Sequence, residues 1–230
     1  SYFRRVGYRV SWQHIDASET GTHISSQIYS ATSPTLNEIL HYTLLFSDNW
    51  VADYLARSAA EAAGYGYSST GIESVYTEVL AKYSISNGFV NTKDGSGLSH
   101  DDRTSVNTLA KVLEVMYKNP KFQGAIQGLP VSGESGTLIH RFVKTAPQAV
   151  GLVHAKTGSI NGVVSLAGFV DSGDHKYVFA IISDRLRHSY AIENAARATI
   201  DKLLGRIASP LKTETATDLN PSPSSEAITH

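Results

Sequence analysis

Two tripeptides in this sequence carry side chains from which a catalytic site can be built. Ser47-Asp48-Asn49 lies between two helical stretches, and Lys156-Thr157-Gly158 follows a short apolar run much later in the chain. Taken alone, the first is most often a helix cap and the second a strand end or turn. Together, a serine and an amide facing a lysine across a cleft are typical of serine-dependent acyl transfer. The glycine would keep the strand free of a side chain, so that an extended substrate can lie along it.

Composition excludes several other classes of function. The 230 residues are 41% hydrophobic and 18% charged, as in ordinary globular proteins of one large or two small domains. A net charge of −1 gives no sign of a nucleic-acid partner. The absence of Cys excludes disulfides and thiolate catalysis, and the nine His show no metal-ligand spacing, so no cofactor is expected. The apolar runs are too short to span a bilayer.

Hydrophobic spacing predicts the elements that position the two tripeptides. Helices are predicted after Pro34, from Trp50 to Gly64, over about 71–82, after a cap at Thr104 or Ser105, over about 119–127, and over 188–206 with Ile192, Ala196, Ile200 and Leu203 facing the core.

Three consecutive strands are predicted in the second half of the chain, over 151–156, 160–170 and 176–183, with a hairpin turn at 171–175. One further strand is predicted within 22–31. Helices, then a hairpin-linked sheet, then a closing helix indicate an α/β (α+β) fold in which helices pack on an antiparallel sheet.

Three longer segments resemble one family. DGSGLSHDDRTS (94–105) is similar to a signature of the class C penicillin-binding proteins, which are DacB-like D-alanyl-D-alanine carboxypeptidases and endopeptidases. LPVSGESGTLIHRF (129–142) has the Gly-Thr-Leu and Arg that precede the Lys-Thr-Gly strand in that family, and KTGSINGVVSLAGFV (156–170) resembles its catalytic strand and the next one. The resemblance covers roughly residues 30–205. It implies the transpeptidase-like (β-lactamase-like) fold, an antiparallel sheet flanked by helices.

The resemblance implies a role in catalysis for three residues. Ser47 would relay a proton between the general-base lysine and the leaving amine. Asn49 would hydrogen-bond the acyl side of the substrate. Lys156 would orient Ser47 and make the cleft electropositive. The implied partners are peptidoglycan stem peptides and β-lactams.

The resemblance also implies a substrate-binding role for the residues that follow Lys156. Thr157 and the Ser159 hydroxyl would bind the terminal carboxylate of D-alanine, with Gly158 between them along the substrate. The Ser159 backbone N–H would be half of the oxyanion hole, and the N–H of the nucleophile the other half.

One element of the family pattern is missing. The nucleophile belongs in a Ser-x-x-Lys ahead of Ser47, where one helical turn brings the lysine beside the hydroxyl. Residues 1–46 contain no such pattern, and the only instance runs from Ser209 to Lys212. We therefore expect a C-terminal part, inactive alone, with the nucleophile and a signal peptide upstream. Residues 1–20 would end an inserted accessory domain, 21–207 would belong to the catalytic domain, and 208–230 would be a disordered tail.

A second departure lies in the glycine-rich segment. The family usually has a basic residue, commonly Arg, directly after DGSGLS, where it grips the acidic end of the stem peptide. This chain has His100 there, and Arg103 three residues later is a substitute. The alternative is that His100 is a solvated loop residue without a function.

Two rival functions were weighed. A class A β-lactamase shares Ser-x-Asn and Lys-Thr-Gly, but it needs a Glu-x-x-Leu-Asn segment that this sequence lacks. The other rival is a non-catalytic peptidoglycan-binding or scaffold fragment. Under the favoured interpretation the protein works in the bacterial cell envelope, in the periplasm or outside the cytoplasm. The sequence gives no oligomeric state.

Overall fold

The structure, a computed structural model, describes residues 30–86 and 90–208. Tertiary contacts divide the chain into residues 1–35 and 36–230, and every element below belongs to the second unit. The helices are α1 Leu36–Phe46, α2 Asn49–Ala62, α3 Ser69–Lys82, α4 Val106–Lys118, α5 Gln123–Gln127 and α6 Tyr190–Ala208. The strands are β1 Val153–Ile160, β2 Val163–Ser172 and β3 His175–Ser183. Short 3-10 turns occupy Pro120–Phe122, Gly136–Leu138 and Pro147–Ala149.

The strands form one antiparallel sheet in the order β1-β2-β3, as predicted. The predicted end of β1 at Lys156 is wrong, because the strand continues through the Lys-Thr-Gly tripeptide to Ile160. The turn falls instead at residues 161–162, where Gly162 adopts a φ of 78° that a side chain would disfavour. The strand predicted within 22–31, the boundary near residue 20 and the tail from 209 lie outside the described residues.

Polar side chains fix where the helices begin. The Asp48 side chain accepts a hydrogen bond from Val51 N–H and caps α2, and Ser105 caps α4 in the same way through Thr108 N–H. The sequence predicted a cap at Thr104 or Ser105, and the structure has it at Ser105. Among the described residues, no helix is both long enough and apolar enough to cross a membrane.

One face of the sheet packs on α6 and forms the main core. Its buried residues are Leu138, Phe142, Ala146, Ala149, Val153, Ala155, Val164, Leu166, Val170, Phe179, Ile200, Leu204 and Ala208. The predicted core face of α6 was partly wrong, because Leu203 is 49% exposed while Leu204 is fully buried. The helix turns Asp201 and Gly205 inward, and a Cβ on Gly205 would lie 2.7 Å from Ala146 Cβ. This close approach fixes the rotation of the helix.

The opposite face of the sheet packs on α4 and α5 with a smaller cluster. Leu113, Leu129 and Phe169 are buried there. Beside this cluster, a cavity of about 790 Å³ separates β1 to β3 from α3, α4 and the 90–104 segment. Sheet and helices thus meet closely at one end and leave a cleft at the other.

Candidate active site

Ser47 is the single residue between α1 and the cap of α2. Its backbone adopts a φ of 57°, a left-handed conformation that is uncommon for a residue with a side chain. Asp48 N–H donates to Thr43 O at 3.1 Å, and the Asp48 side chain caps α2, so the junction is held on both sides of Ser47. The tripeptide is therefore a helix cap, and it also presents a serine hydroxyl at a tightly constrained turn.

Lys156 joins this turn to the sheet. Its Nζ donates to Ser47 Oγ at 2.6 Å and to the backbone oxygen of Thr157 at 2.8 Å. The side chain is half-buried, and burial lowers the pKa of Lys156 below its usual value. The ammonium is thus held between a hydroxyl and a carbonyl, and a proton can pass between Ser47 and Lys156 without any rearrangement.

The outer edge of β1 is paired only in part. Ser132 N–H donates to Val153 O and Ala155 N–H donates to Pro130 O, both at 2.9 Å, and in the described residues these edge bonds end at Ala155. Because alternate residues of an antiparallel strand point their backbone groups to opposite edges, the N–H groups of Thr157 and Ser159 face this open edge. An extended peptide can therefore pair with β1 here.

Two hydroxyl groups on β1 are held by residues from other elements. Thr157 Oγ1 lies 2.8 Å from Thr137 Oγ1, which belongs to the turn Gly136–Leu138. Ser159 Oγ accepts a hydrogen bond of 2.9 Å from the guanidinium of Arg197 on α6. Neither Thr137 nor Arg197 is predicted as a site residue from the sequence. No spacing in the sequence indicates that α6 passes this strand.

Asn49 is the first residue of α2, two positions after Ser47, and its side chain is exposed. This position is compatible with a side-chain amide that meets a substrate in the cleft.

The glycine-rich 94–100 segment packs on α2. Asp94 accepts hydrogen bonds from the N–H groups of Ser96, Gly97 and Ser99. Burial pushes the pKa of Asp94 up, but these bonds outweigh it and leave the pKa lowered. A Cβ on Gly95 would lie 2.4 Å from Ala56 Cβ, so only glycine allows the segment to pack this closely.

The cavity is lined by three of the four predicted binding residues, whereas Thr157 and the Ser47, Asn49 and Lys156 side chains lie outside its lining. Gly158 and Ser159 line it from β1, and His100 and Arg103 line it from the glycine-rich side. His100 is exposed, and its backbone oxygen accepts a hydrogen bond from Arg103, whose guanidinium also donates to Asp102 O. Arg103 therefore binds carbonyl groups of its own segment. Ser209 and Lys212 lie outside the described residues.

A buried ion pair supports this end of the sheet. Asp201 on α6 accepts from the Arg141 guanidinium, from Thr145 Oγ1 at 2.8 Å and from Phe142 N–H at 3.3 Å. Only 4% of the Asp201 side chain is exposed. In residues 30–86 and 90–208, no three His, Asp or Glu side chains are grouped so that they would hold a metal ion.

Comparisons of the sequence with known proteins point to one family. The model of the family described as D-Ala-D-Ala carboxypeptidase 3 (S13) matches residues 6–207. The chain is 35% identical over 173 residues to penicillin-sensitive carboxypeptidase A of Dictyostelium discoideum, across 71% of this chain and 33% of that protein. It is 34% identical over 184 residues to a D-alanyl-D-alanine carboxypeptidase of Actinomadura sp. (strain R39), across 77% and 32%. The chain spans about a third of the length of these curated relatives.

A solved structure is similar as well. The crystal structure of penicillin binding protein 4 (dacB) from Haemophilus influenzae, complexed with a β-lactam, superposes with a TM-score of 0.64 at 29% sequence identity. The match covers 73% of this chain and 40% of that one. The transpeptidase-like fold expected from the sequence is therefore confirmed.

Proposed function

Because the chain belongs to the D-Ala-D-Ala carboxypeptidase 3 (S13) family, we propose that the whole protein is a serine-type D-Ala-D-Ala carboxypeptidase or endopeptidase of the cell envelope. It would cleave peptidoglycan stem peptides through an acyl-enzyme and be acylated by β-lactams. This chain supplies the proton relay and the groups that bind the end of the substrate. No cofactor takes part.

The observation that carries the proposal is the 2.6 Å bond from Lys156 Nζ to Ser47 Oγ. In this role Ser47 relays a proton between the general-base lysine of the family's Ser-x-x-Lys element and the leaving amine, and Lys156 orients the Ser47 hydroxyl. The hydrogen bonds of Lys156 to Ser47 and to the Thr157 carbonyl hold its ammonium in the position from which it orients the hydroxyl. Asn49 hydrogen-bonds the acyl side of the substrate from the start of α2.

The open edge of β1 binds the other end of the substrate. The terminal carboxylate accepts hydrogen bonds from the hydroxyls of Thr157 and Ser159, and the peptide lies along Gly158. Ser159 N–H, which faces the open edge, donates to the oxygen of the tetrahedral intermediate. His100, on the far side of the cavity, contacts the side chain of the stem peptide.

A D,D-dipeptide binding measurement tests the proposal. N-acetyl-D-Ala-D-Ala and its L,L isomer are each titrated into the chain, and binding is followed by NMR. Hydroxyl and N–H donors at fixed positions bind one stereoisomer of a short peptide better than the other. We expect the D,D isomer to bind at least about tenfold more tightly, since one charge-assisted hydrogen bond is worth about 1.5 kcal/mol or more. Equal binding of both isomers would contradict the proposed substrate class.

Fluorescent penicillin tests a different point, namely the place of the nucleophile. We expect no covalent label on this chain after denaturation, because its only Ser-x-x-Lys, at Ser209 to Lys212, follows Lys-Thr-Gly. A labelled band that is lost in Ser209→Ala would show that this serine is the nucleophile. Penicillin added as a competitor in the dipeptide titration then reports non-covalent binding at the same edge.

A further inference from the structure

Arg197 places a positive charge at the end of the proposed substrate edge. Its guanidinium donates to Ser159 Oγ at 2.9 Å, and 26% of its side chain is exposed. The same group donates to Asn194 Oδ1 at 2.8 Å and to Glu193 Oε2 at 3.2 Å. Ser159 and Glu193 take the two hydrogens of Nη2 and Asn194 takes one of Nη1, so one Nη1–H and the Nε–H of the five donors remain for a ligand.

The backbone that carries Arg197 is held by the buried ion pair. Arg141 donates to the backbone oxygen of Arg197 at 3.1 Å as well as to Asp201 one turn further along α6. Glu193 and Asn194 fix the guanidinium from the preceding turn. Both ends of the Arg197 side chain are therefore constrained before any substrate arrives, and little conformational entropy is lost when a ligand binds.

The other polar groups at this edge have fewer donors left for a carboxylate. Lys156 attracts a carboxylate through its charge, but two of its three N–H donors are bound by Ser47 and the Thr157 carbonyl, and the Thr157 hydroxyl is paired with Thr137. Hydroxyl groups bind a carboxylate but do not neutralise its charge. The guanidinium beside Ser159 does, and hydrogen bonds from a charged donor are about twice as strong as neutral ones.

We propose that Arg197 is a specificity-determining residue that pairs with the free α-carboxylate of the substrate's last residue, next to the Ser159 hydroxyl. The inference rests on the proposed function. The group that Arg197 recognises is a free terminal carboxylate, rather than an amide or a further residue. Glu193 weakens the guanidinium's field by partial neutralisation, so removal of its charge should strengthen the preference.

The test compares N-acetyl-D-Ala-D-Ala with its C-terminal amide by NMR titration in five forms of the chain. The ratio of the two affinities should fall about tenfold in Arg197→Gln and less in Arg197→Lys, which keeps the charge but not the planar fork. It should rise in Glu193→Gln. Arg206→Gln, an exposed site on the same helix, removes the same charge about 13 Å away and should leave the ratio unchanged.

The outcomes separate the possible roles. If the Arg197–Glu193 pair had only a structural role, both Arg197→Gln and Glu193→Gln would weaken the binding of the acid and of the amide equally. This result would overturn the inference. If Arg197→Gln does not fold, the increase in the acid-to-amide affinity ratio that is expected for Glu193→Gln tests the inference by itself. A parent chain that prefers D,D over L,L but does not distinguish acid from amide refutes the role of Arg197 and leaves the proposed function intact. A parent that distinguishes neither pair refutes both.

Discussion

The α6 face of the sheet is lined by buried side chains, whereas the opposite face has a small cluster and borders the cavity. Thr157 and Ser159 are tied to elements on the α6 side, through Thr137 and Arg197. Lys156 reaches the helical side, where it bonds to Ser47. The groups proposed to hold the substrate's end are thus anchored in a core, while Lys156 links the sheet to the junction between α1 and α2.

This difference suggests a division of labour between the faces. A packed core resists rearrangement, so groups mounted on it keep their geometry without a ligand. At Ser47 the helical side is joined to β1 by a side-chain hydrogen bond rather than by a packed core. Variants in the buried core of the α6 face should therefore change stability, whereas variants at Lys156 and in the 100–103 segment should change binding.

The largest effect is expected from Asp201→Asn on the α6 face. The change leaves the Arg141 charge buried without its counter-ion, and it should lower the free energy of unfolding by about 3 kcal/mol. Urea denaturation gives the value. The matched control is Glu114→Gln, which neutralises an exposed acid on α4 that pairs with Lys111 and Lys118. Similar decreases in the free energy of unfolding in both variants would contradict the expected difference between the buried core and the surface.

The second effect is expected at Lys156, which joins β1 to Ser47. Lys156→Met should weaken D,D-dipeptide binding by about 10²-fold, in line with loss of a single preorganised electrostatic donor, and change stability little. In the whole enzyme, Lys156→Ala should slow acylation by penicillin at least as much. An affinity or acylation rate within a few-fold of the parent would remove Lys156 from the site.

The pH dependence of binding gives a further check on Lys156. Burial lowers its pKa in the folded chain, and only the ammonium form attracts a carboxylate. Dipeptide affinity should therefore be retained at neutral pH and decline as pH rises, beginning below the usual lysine pKa of 10.5. Lys156→Met should show no such decline.

Two glycines on opposite faces of the sheet sharpen the comparison. A Cβ on Gly168 would lie 2.1 Å from the backbone oxygen of His154, whereas one on Gly158 would meet only the rotatable Ser165 hydroxyl at 2.2 Å. Gly168→Ala should cost about 2 kcal/mol of stability, because a backbone must move. Gly158→Ala should cost about 1 kcal/mol or less, since one side chain changes rotamer. Thermal unfolding measures these losses of stability in Gly168→Ala, in Gly158→Ala and in the double variant that combines Gly158→Ala with Ser165→Gly.

The smallest effect is expected at His100 on the cleft side. His100→Arg should raise the affinity for a diaminopimelate-containing stem peptide by about 1 kcal/mol or less, because an exposed ion pair is screened by solvent. His100→Ala and Arg103→Gln are measured in parallel. If His100→Ala matches the parent, the residue is a bystander and the 100–103 segment does not hold the stem peptide through it.

Local patterns in the sequence predicted much of the fold. Alternating apolar residues placed three strands near their observed positions, and the Ser105 cap placed the start of α4. The end of β1 was predicted too early because Lys-Thr-Gly has the composition of a turn. In the folded chain its backbone pairs with β2 instead, and the register continues to Ile160 opposite Val163.

The sequence by itself determined which motifs are present and in what order, and their resemblance to one family predicted the contact between Ser47 and Lys156. Tertiary structure alone decided which side chains meet them. Arg197 reaches Ser159 because Asp201 and Gly205 rotate α6 inward, and Thr137 reaches Thr157 because the 130–132 segment lies beside β1. Such contacts depend on how elements pack across the fold, and the spacing of residues along one element does not encode them.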